Sequence, residues 1–230
     1  QRLKHFTKRT DRHGLAYLAG HLGLLGGTGY LIFLATGTGW LIPAMFVHGI
    51  VLTHLFAPLH ETCHRTAFRS LWLNEAVLWF CGIAVFWPPV YFRFEHAGHH
   101  TYAQEHGKDP EMLLPKPATY VDYVYYLLGI HLWIKNTGWI LRHASGRMAP
   151  FDRRYVPDEM LPQIYREARV MLAVYGLAVI GGIAAGSWAP AIYFFIPAVI
   201  GLPVQRLIRI GDHVGCVYGL DLRRYARTVT

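Results

Sequence analysis

The chain has 230 residues, of which 53% are hydrophobic and only 16% are charged, a balance too apolar for an ordinary water-soluble domain. Its three cysteines are scattered without a CxxC pair, which excludes a disulfide framework of the usual kind and favours a reducing environment. The formal net charge of +8 would suit a nucleic-acid partner, but the placement of the charges along the chain argues against one.

Two long apolar runs dominate the sequence. No Asp, Glu, Lys or Arg occurs between His13 and His60, or between Val170 and Gln205. Because one membrane span needs about 20 residues, each run fits two helices joined by a turn. The turns are predicted at "ATGTGW" and "AAGSWAP", and the spans near 15–36, 40–60, 169–186 and 189–208.

The basic residues indicate how these hairpins are oriented. Lys and Arg lie outside the apolar runs or at their ends, so both hairpins are predicted to enter and leave on the cytoplasmic side. This placement explains the positive charge by topology, with anionic lipid as its partner and no nucleic acid.

We therefore predict an all-α integral membrane protein with one domain over 1–230. It is divided into a cytosolic tail (1–13), hairpin one (15–60), a cytosolic and interfacial region (61–168), hairpin two (169–208) and a last cytosolic segment (209–230). Within the central region, 71–92 is predicted as a short or re-entrant membrane helix. The aromatic stretch 120–143 is predicted as one helix lying in the membrane interface, and 144–166 as a connector.

Histidines form the most informative pattern. "HETCH" places His60 and His64 one helical turn apart and satisfies the HExxH pattern of zinc proteases, in which Glu61 would be a general base. "HAGHH" supplies His96, His99 and His100, and His213 follows the last span. The predicted topology brings these groups to one membrane face. Six imidazoles exceed the three protein ligands of a catalytic zinc and favour iron, with two metals. Glu61 is then better placed to orient a ligand.

These boxes resemble the membrane-bound fatty acid desaturase family, the histidine-box di-iron enzymes that include related hydroxylases. The resemblance rests on "HETCHRTAFRSLWLNEAV", "FRFEHAGHHTYAQEHGKDPE" and "DHVGC" and extends from about residue 40 to the end. The family has a further HxxHH box after the last span, and these 230 residues contain none. We therefore expect the sequence to be trimmed at both ends.

Two further carboxylates are assigned by their neighbours. Asp109 in "KDPE" and Asp212 beside His213 are predicted to accept ring N–H bonds from ligand histidines, together with Glu61. The competing interpretation is a turn-forming aspartate before Pro110 and a surface carboxylate at a helix end. His48 and His54, inside the second span, are predicted to make interhelical hydrogen bonds.

The resemblance implies a function. It implies two irons held by His60, His64, His96, His99, His100 and His213, with O2 as co-substrate and a fatty acyl chain or lipid as the molecule desaturated. It also implies an electron donor such as a ferredoxin, a rubredoxin or a cytochrome b5-like protein. Two alternatives stay open here: a related hydroxylase or ketolase acting on an alkane, sterol or carotenoid, and a non-catalytic membrane subunit with a partial metal site.

Overall fold

The computed structural model describes residues 9–103, 105, 107–111 and 117–209, and this part of the chain contains helices and no strand. The α-helices, in chain order, are α1 (Asp11–Ala35), α2 (Leu41–Thr53), α3 (Phe56–Cys63), α4 (Leu71–Ala84), α5 (Pro89–Tyr102), α6 (Tyr120–Leu127), α7 (Ile130–Ala144), α8 (Leu161–Ala184) and α9 (Ile196–Arg209). Two 3-10 helices (Asp152–Arg154 and Asp158–Met160) precede α8, and a π-helix (Ala191–Phe195) precedes α9.

Among the described residues, four helical segments are each long and apolar enough to cross a membrane. They are Asp11–Ala35, Leu41–Cys63, Asp158–Ala184 and Ala191–Arg209. The predicted all-α membrane fold is thus confirmed. The turns also fall where the sequence places them, with Gly37 at φ +80° and Gly186 at φ +58°, a left-handed conformation that glycine adopts without strain.

The third span differs from the prediction at its start. Helix α8 begins at Leu161 rather than near residue 169. Its first turns carry Arg166, Glu167 and Arg169, and these charges hide the helix from a search for apolar runs. One of them, Glu167, is fully buried.

The chain divides into two compact units. Unit 1 comprises Gln1–Pro89 and Ala191–Gly201, and unit 2 comprises Val90–Pro190 and Leu202–Thr230.

Glycine contacts bring two helices of unit 1 close together. A Cβ added to Gly49 in α2 would lie 2.1 Å from the carbonyl oxygen of Pro197 in α9, and one on Gly201 would lie 2.0 Å from the carbonyl carbon of Gly49. Backbones approach this closely only where no side chain intervenes, which is a common way for membrane helices to pack. Any larger residue at these two positions would force the helices apart.

A buried histidine ties three elements of unit 1 together. His48 Nδ1 lies 2.8 Å from Thr28 Oγ1 of α1, and its Nε2 donates to the carbonyl of Tyr193 in the π-helix at 3.1 Å. These two contacts confirm the predicted interhelical role of His48. The second of them is to a π-helix, in which the hydrogen-bonding register is shifted by one residue. The same prediction for His54 is wrong, because its Nδ1 lies 2.7 Å from the Ile50 carbonyl of its own helix.

Helix α4 ends in a tight bend within unit 1. Phe86 has φ +59°, and the amide of Trp87 donates to the carbonyl of Gly82 at 2.8 Å, as in a Schellman ending. Phe86 is an unusual residue for this conformation, and its ring stacks on Phe194 with centroids 5.1 Å apart. The predicted apolar segment 71–92 is therefore broken by this bend.

The aromatic stretch of unit 2 forms two helices rather than the single one predicted. Helix α6 begins with a capping box of Thr119 and Asp122 and ends before Gly129, which has φ +65°. A Cβ on Gly129 would lie 2.4 Å from Leu202 Cδ2. Close packing and a left-handed backbone thus both require glycine at the break.

The end of α9 holds this break in place within unit 2. The Arg206 guanidinium lies 3.7 Å from the ring centroid of Tyr126, a cation–π contact. Its Nε donates to the carbonyl of Tyr126 at 3.3 Å. The last carbonyls of α6 thereby gain a donor that the helix itself cannot supply.

Candidate metal centre

Unit 1 carries the first histidine pair at the end of α3. His60 lies in the last turn of the helix, and His64 is the residue that caps it. Their ring centroids are 4.9 Å apart, as expected for residues separated by four on a helical face. His60 Nδ1 lies 3.2 Å from Glu61 Oε1. The exposed fractions of the His60 and Glu61 side chains are 34% and 60%, so this contact is partly open to its surroundings.

The chain reverses directly after His64. Arg65 has φ +57°, its amide donates to the Thr62 carbonyl at 3.0 Å, and the next amide donates to the Glu61 carbonyl at 3.3 Å. Arg65 Nε also donates to Glu75 of α4 at 3.1 Å. The position of His64 is therefore set by a strained residue and an ion pair next to it.

Unit 2 carries the second histidine cluster on α5. Its ring centroids are 5.7 Å apart for His96 and His99, 4.5 Å for His96 and His100, and 5.8 Å for His99 and His100. The Nε2 atoms of His96 and His100 are 3.0 Å apart. His96 and His99 are buried, and His100 is exposed.

Two carboxylates hold the buried rings of His96 and His99 at Nδ1, the nitrogen on the other side of the ring from Nε2. His96 Nδ1 donates to Glu111 Oε1 at 2.6 Å, and His99 Nδ1 donates to Asp109 Oδ1 at 2.8 Å. A histidine whose Nδ1 carries the proton has a lone pair on Nε2. Both rings are thus held in the tautomer that binds a metal through Nε2, which is the arrangement found around metal-ligating histidines.

The carboxylates of Asp109 and Glu111 are themselves held in place, one by a backbone turn and the other by an arginine. The Glu111 amide donates to Asp109 Oδ1 at 2.9 Å, the local bond of an Asx turn. Arg209 at the end of α9 donates to Glu111 Oε2 at 3.2 Å. Glu111 therefore uses one oxygen for the histidine and the other for a permanent cation.

The protonation of Glu111 follows from these neighbours. Burial favours the neutral acid, but the hydrogen bond from His96 and the charge of Arg209 outweigh it and hold the pKa of Glu111 well below its usual range. Glu111 is thus a carboxylate at neutral pH and acts as an acceptor only.

The predicted site residues divide into three groups. Within unit 1, His60, His64 and Glu61 lie together. Within unit 2, His96, His99, His100 and Asp109 lie together. His213 and Asp212 fall outside the described residues, so their predicted roles stay predictions.

The role of Glu111 as the hydrogen-bond acceptor of His96 was not predicted from the sequence. The signal was present in the Lys-Asp-Pro-Glu stretch, because an Asx turn at Asp109 brings the side chain two residues later to the same side. The partner Arg209 lies 98 residues away and no local pattern connects the two.

A helical membrane fold that carries clustered imidazoles, two of them hydrogen-bonded to carboxylates, defines a class of histidine-rich membrane protein. A comparison with protein families then names the family. The family model for fatty acid desaturases matches residues 38–230, which is most of the chain, and the protein belongs to this family.

Among curated proteins, the chain is similar to an sn-1 oleoyl-lipid 12-desaturase from a Picosynechococcus species. The two are 27% identical over 101 residues. The match covers 44% of this chain and 29% of that relative.

Proposed function

We propose that the protein is an O2-dependent di-iron oxidoreductase of the membrane that desaturates a fatty acyl chain or an acyl lipid. Family membership supports oxidoreductase chemistry on a fatty acyl substrate, and the printed name of the similar protein is that of a desaturase acting on oleoyl lipid. The long apolar helices give such a substrate a route from the bilayer.

The proposed ligands are the imidazoles of His60, His64, His96, His99, His100 and His213. His60, His64, His96 and His100 each offer a ring nitrogen that can bind a metal ion. Imidazole is a good ligand for iron, and six such ligands suit two ions better than one. When bound, iron supplies the oxidising power that removes hydrogen from an unactivated C–H bond.

The observation that carries this proposal is the pair of hydrogen bonds from His96 and His99 to Glu111 and Asp109. A buried histidine with a structural role has no need of its own carboxylate, whereas a metal ligand gains basicity and a fixed ring orientation from one. In the proposed centre, Asp109 and Glu111 orient the rings, and the exposed Glu61 does the same for His60.

We further propose that the centre faces the cytoplasm. The support is the distribution of Lys and Arg, which lie outside the spans or near their ends, in segments that would lie on one side. A soluble donor of the ferredoxin, rubredoxin or cytochrome b5-like kind would reach the centre from there. The basic surface would attract the acidic face of such a donor.

The experiment is lipid profiling of cells that make the protein, combined with metal analysis of the purified chain. We expect about two irons per chain and a lipid product that has lost two hydrogens. His96→Ala is expected to lose both iron and product, and His13→Gln, which changes a histidine outside the clusters, neither. Stoichiometric zinc without iron, or iron binding that is unaffected by His96→Ala, would contradict the proposal.

A product that has gained one oxygen, with iron present, would instead identify the chain as a hydroxylase. That result would retain the proposed metal centre and replace the proposed reaction.

A further inference from the structure

The start of helix α5 has an unusual hydrogen-bonding requirement. An α-helix leaves the N–H groups of its capping residue and its first three residues without an intrahelical partner. In α5 the first two of these positions are Pro88 and Pro89, which have no N–H. The requirement is thus reduced to the amides of Val90 and Tyr91.

One side chain satisfies both amides. The Val90 amide donates to Glu167 Oε2 at 2.6 Å, and the Tyr91 amide donates to Glu167 Oε1 at 2.8 Å. Glu167 belongs to α8 and lies 77 residues from Val90 in sequence. Both free amides in the first turn of α5 are therefore hydrogen-bonded, and their acceptor belongs to another helix.

Burial makes this contact consequential. Glu167, Val90 and Tyr91 are all 0% exposed, so water cannot replace the carboxylate. A buried N–H that is left without an acceptor is strongly destabilising. Because the two amides take one oxygen each, the contact fixes both the position and the rotation of the helix start against α8.

The same helix carries the histidines downstream. His96 follows Val90 by six residues, which is about 9 Å along a helix axis at 1.5 Å per residue. An error in the position or rotation of the first turn is carried along a rigid helix to His96 and His99. Glu111, the carboxylate partner of His96, is held by Arg209 at the end of α9 and would not follow.

We propose that Glu167 is a positioning residue that fixes the start of α5 and thereby aligns His96 and His99 with their carboxylates. It touches neither histidine. The part of this inference that concerns metal binding rests on the proposed function. The part that concerns the helix start does not.

The first measurement is amide hydrogen exchange of Val90 and Tyr91 in the purified full chain. We expect exchange at least about ten-fold faster in Glu167→Ala, since a lost hydrogen bond of about 1.4 kcal/mol corresponds to that factor. Glu167→Gln keeps one acceptor oxygen and the same volume, so it should fold and show a smaller change at one amide. The control is Glu159→Gln, which removes an exposed carboxylate just before the same helix.

The second measurement is Co²⁺ binding to the apo protein, followed by visible absorption. Removal of groups that orient metal ligands typically lowers metal affinity by about 10–100-fold, and we expect Glu167→Ala to fall in this range. Glu167→Gln should lie between it and the wild type, with Glu159→Gln unchanged. A purely structural role would lower the melting temperature without changing the affinity of the protein that remains folded.

Unchanged exchange at Val90 and Tyr91 in both Glu167 variants overturns the proposal. So does wild-type Co²⁺ affinity in folded Glu167→Ala. If the wild-type chain itself binds no Co²⁺, the proposed function fails, and the exchange comparison alone then decides whether Glu167 holds the helix start.

Discussion

The two compact units are stabilised in different ways. Unit 1 relies on close backbone approach at Gly49 and Gly201 and on the neutral hydrogen bonds of His48. In the part of the chain that the structure describes, every buried acidic side chain lies in unit 2: Glu95, Asp109, Asp152 and Glu167. Unit 1 therefore depends on the shape of closely packed helices, whereas unit 2 contains buried ionisable side chains that need hydrogen-bond partners.

The histidines follow the same division. In unit 1, His60 is partly exposed, and its carboxylate neighbour Glu61 is more exposed still. In unit 2, His96 and His99 are buried, and their carboxylates are themselves fixed by a turn and by Arg209. The comparison teaches that the two histidine clusters are unequally preorganised by their own surroundings.

The largest expected effect tests the dependence of unit 1 on shape. Gly49→Leu should destabilise the fold by about 3 kcal/mol or more, because the new side chain would meet backbone and not a movable side chain. The measurement is the apparent melting temperature in detergent. Gly23→Leu is the matched control, since a Cβ at Gly23 meets nothing within 4 Å. Equal melting temperatures for the two variants would show that the contact is not tight.

The next prediction tests the unequal preorganisation of the histidines. Glu111→Ala should lower Co²⁺ affinity by about 10–100-fold, the usual cost of losing a group that orients a ligand. Glu61→Ala should change it by no more than a few-fold, because an exposed carboxylate at 3.2 Å constrains its histidine weakly. Titration of the two apo variants side by side measures the difference. A larger loss in Glu61→Ala would reverse the comparison.

A pH titration tests how strongly unit 2 disfavours the charged form of a buried ionisable side chain. Burial, and secondarily Arg142, lower the pKa of His143 to about 4, against about 6.5 in an unfolded chain. Between these values the unfolded chain binds a proton that the folded chain does not, so acidification favours unfolding. Relative to His143→Phe, the wild type should lose up to about 2 kcal/mol between pH 7 and pH 5.

Unfolding in denaturant at pH 8, 7, 6 and 5 checks this result. At pH 8 His143 is neutral in both states, and the difference between wild type and variant there sets the baseline. A constant difference at all four values would mean that His143 gains a proton in the fold as readily as in the unfolded chain.

The smallest expected effect concerns the turn after the first histidine pair. Arg65→Gly should stabilise the protein by about 0.5–1 kcal/mol, since glycine adopts positive φ without a steric cost. The loss of the exposed ion pair with Glu75 offsets a few tenths of this. Glu75→Gln measures that offset separately. Destabilisation by Arg65→Gly beyond the loss in Glu75→Gln would show that the turn is not strained.

Much of the fold could be predicted from local sequence. Runs without charges locate the spans, and glycines in "ATGTGW" and "AAGSWAP" locate the turns, because both signals act within a few residues. The break at Gly129 was missed because its cause is Leu202, which is distant in sequence. The spacing of His96, His99 and His100 predicts one cluster on α5, as found.

What could not be predicted depends on long-range partners. Glu167 and Arg209 occur in or beside apolar segments, and neither has a local pattern that names its partner. Glu167 meets Val90 and Tyr91, and Arg209 meets Glu111, only after the helices have packed. A charged residue at the edge of an apolar span predicts that a partner exists. It does not identify the residue that is the partner.

The π-helix at Ala191–Phe195 has a consequence for chain length. Each residue in an α-helix turns the chain by about 100°. The wider turn of the π-helix therefore changes the direction in which every later residue of α9 faces. Deleting one residue there would swing Gly201 away from Gly49 and present a bulkier neighbour to α2. Insertions and deletions in this segment are therefore far more restricted than substitutions.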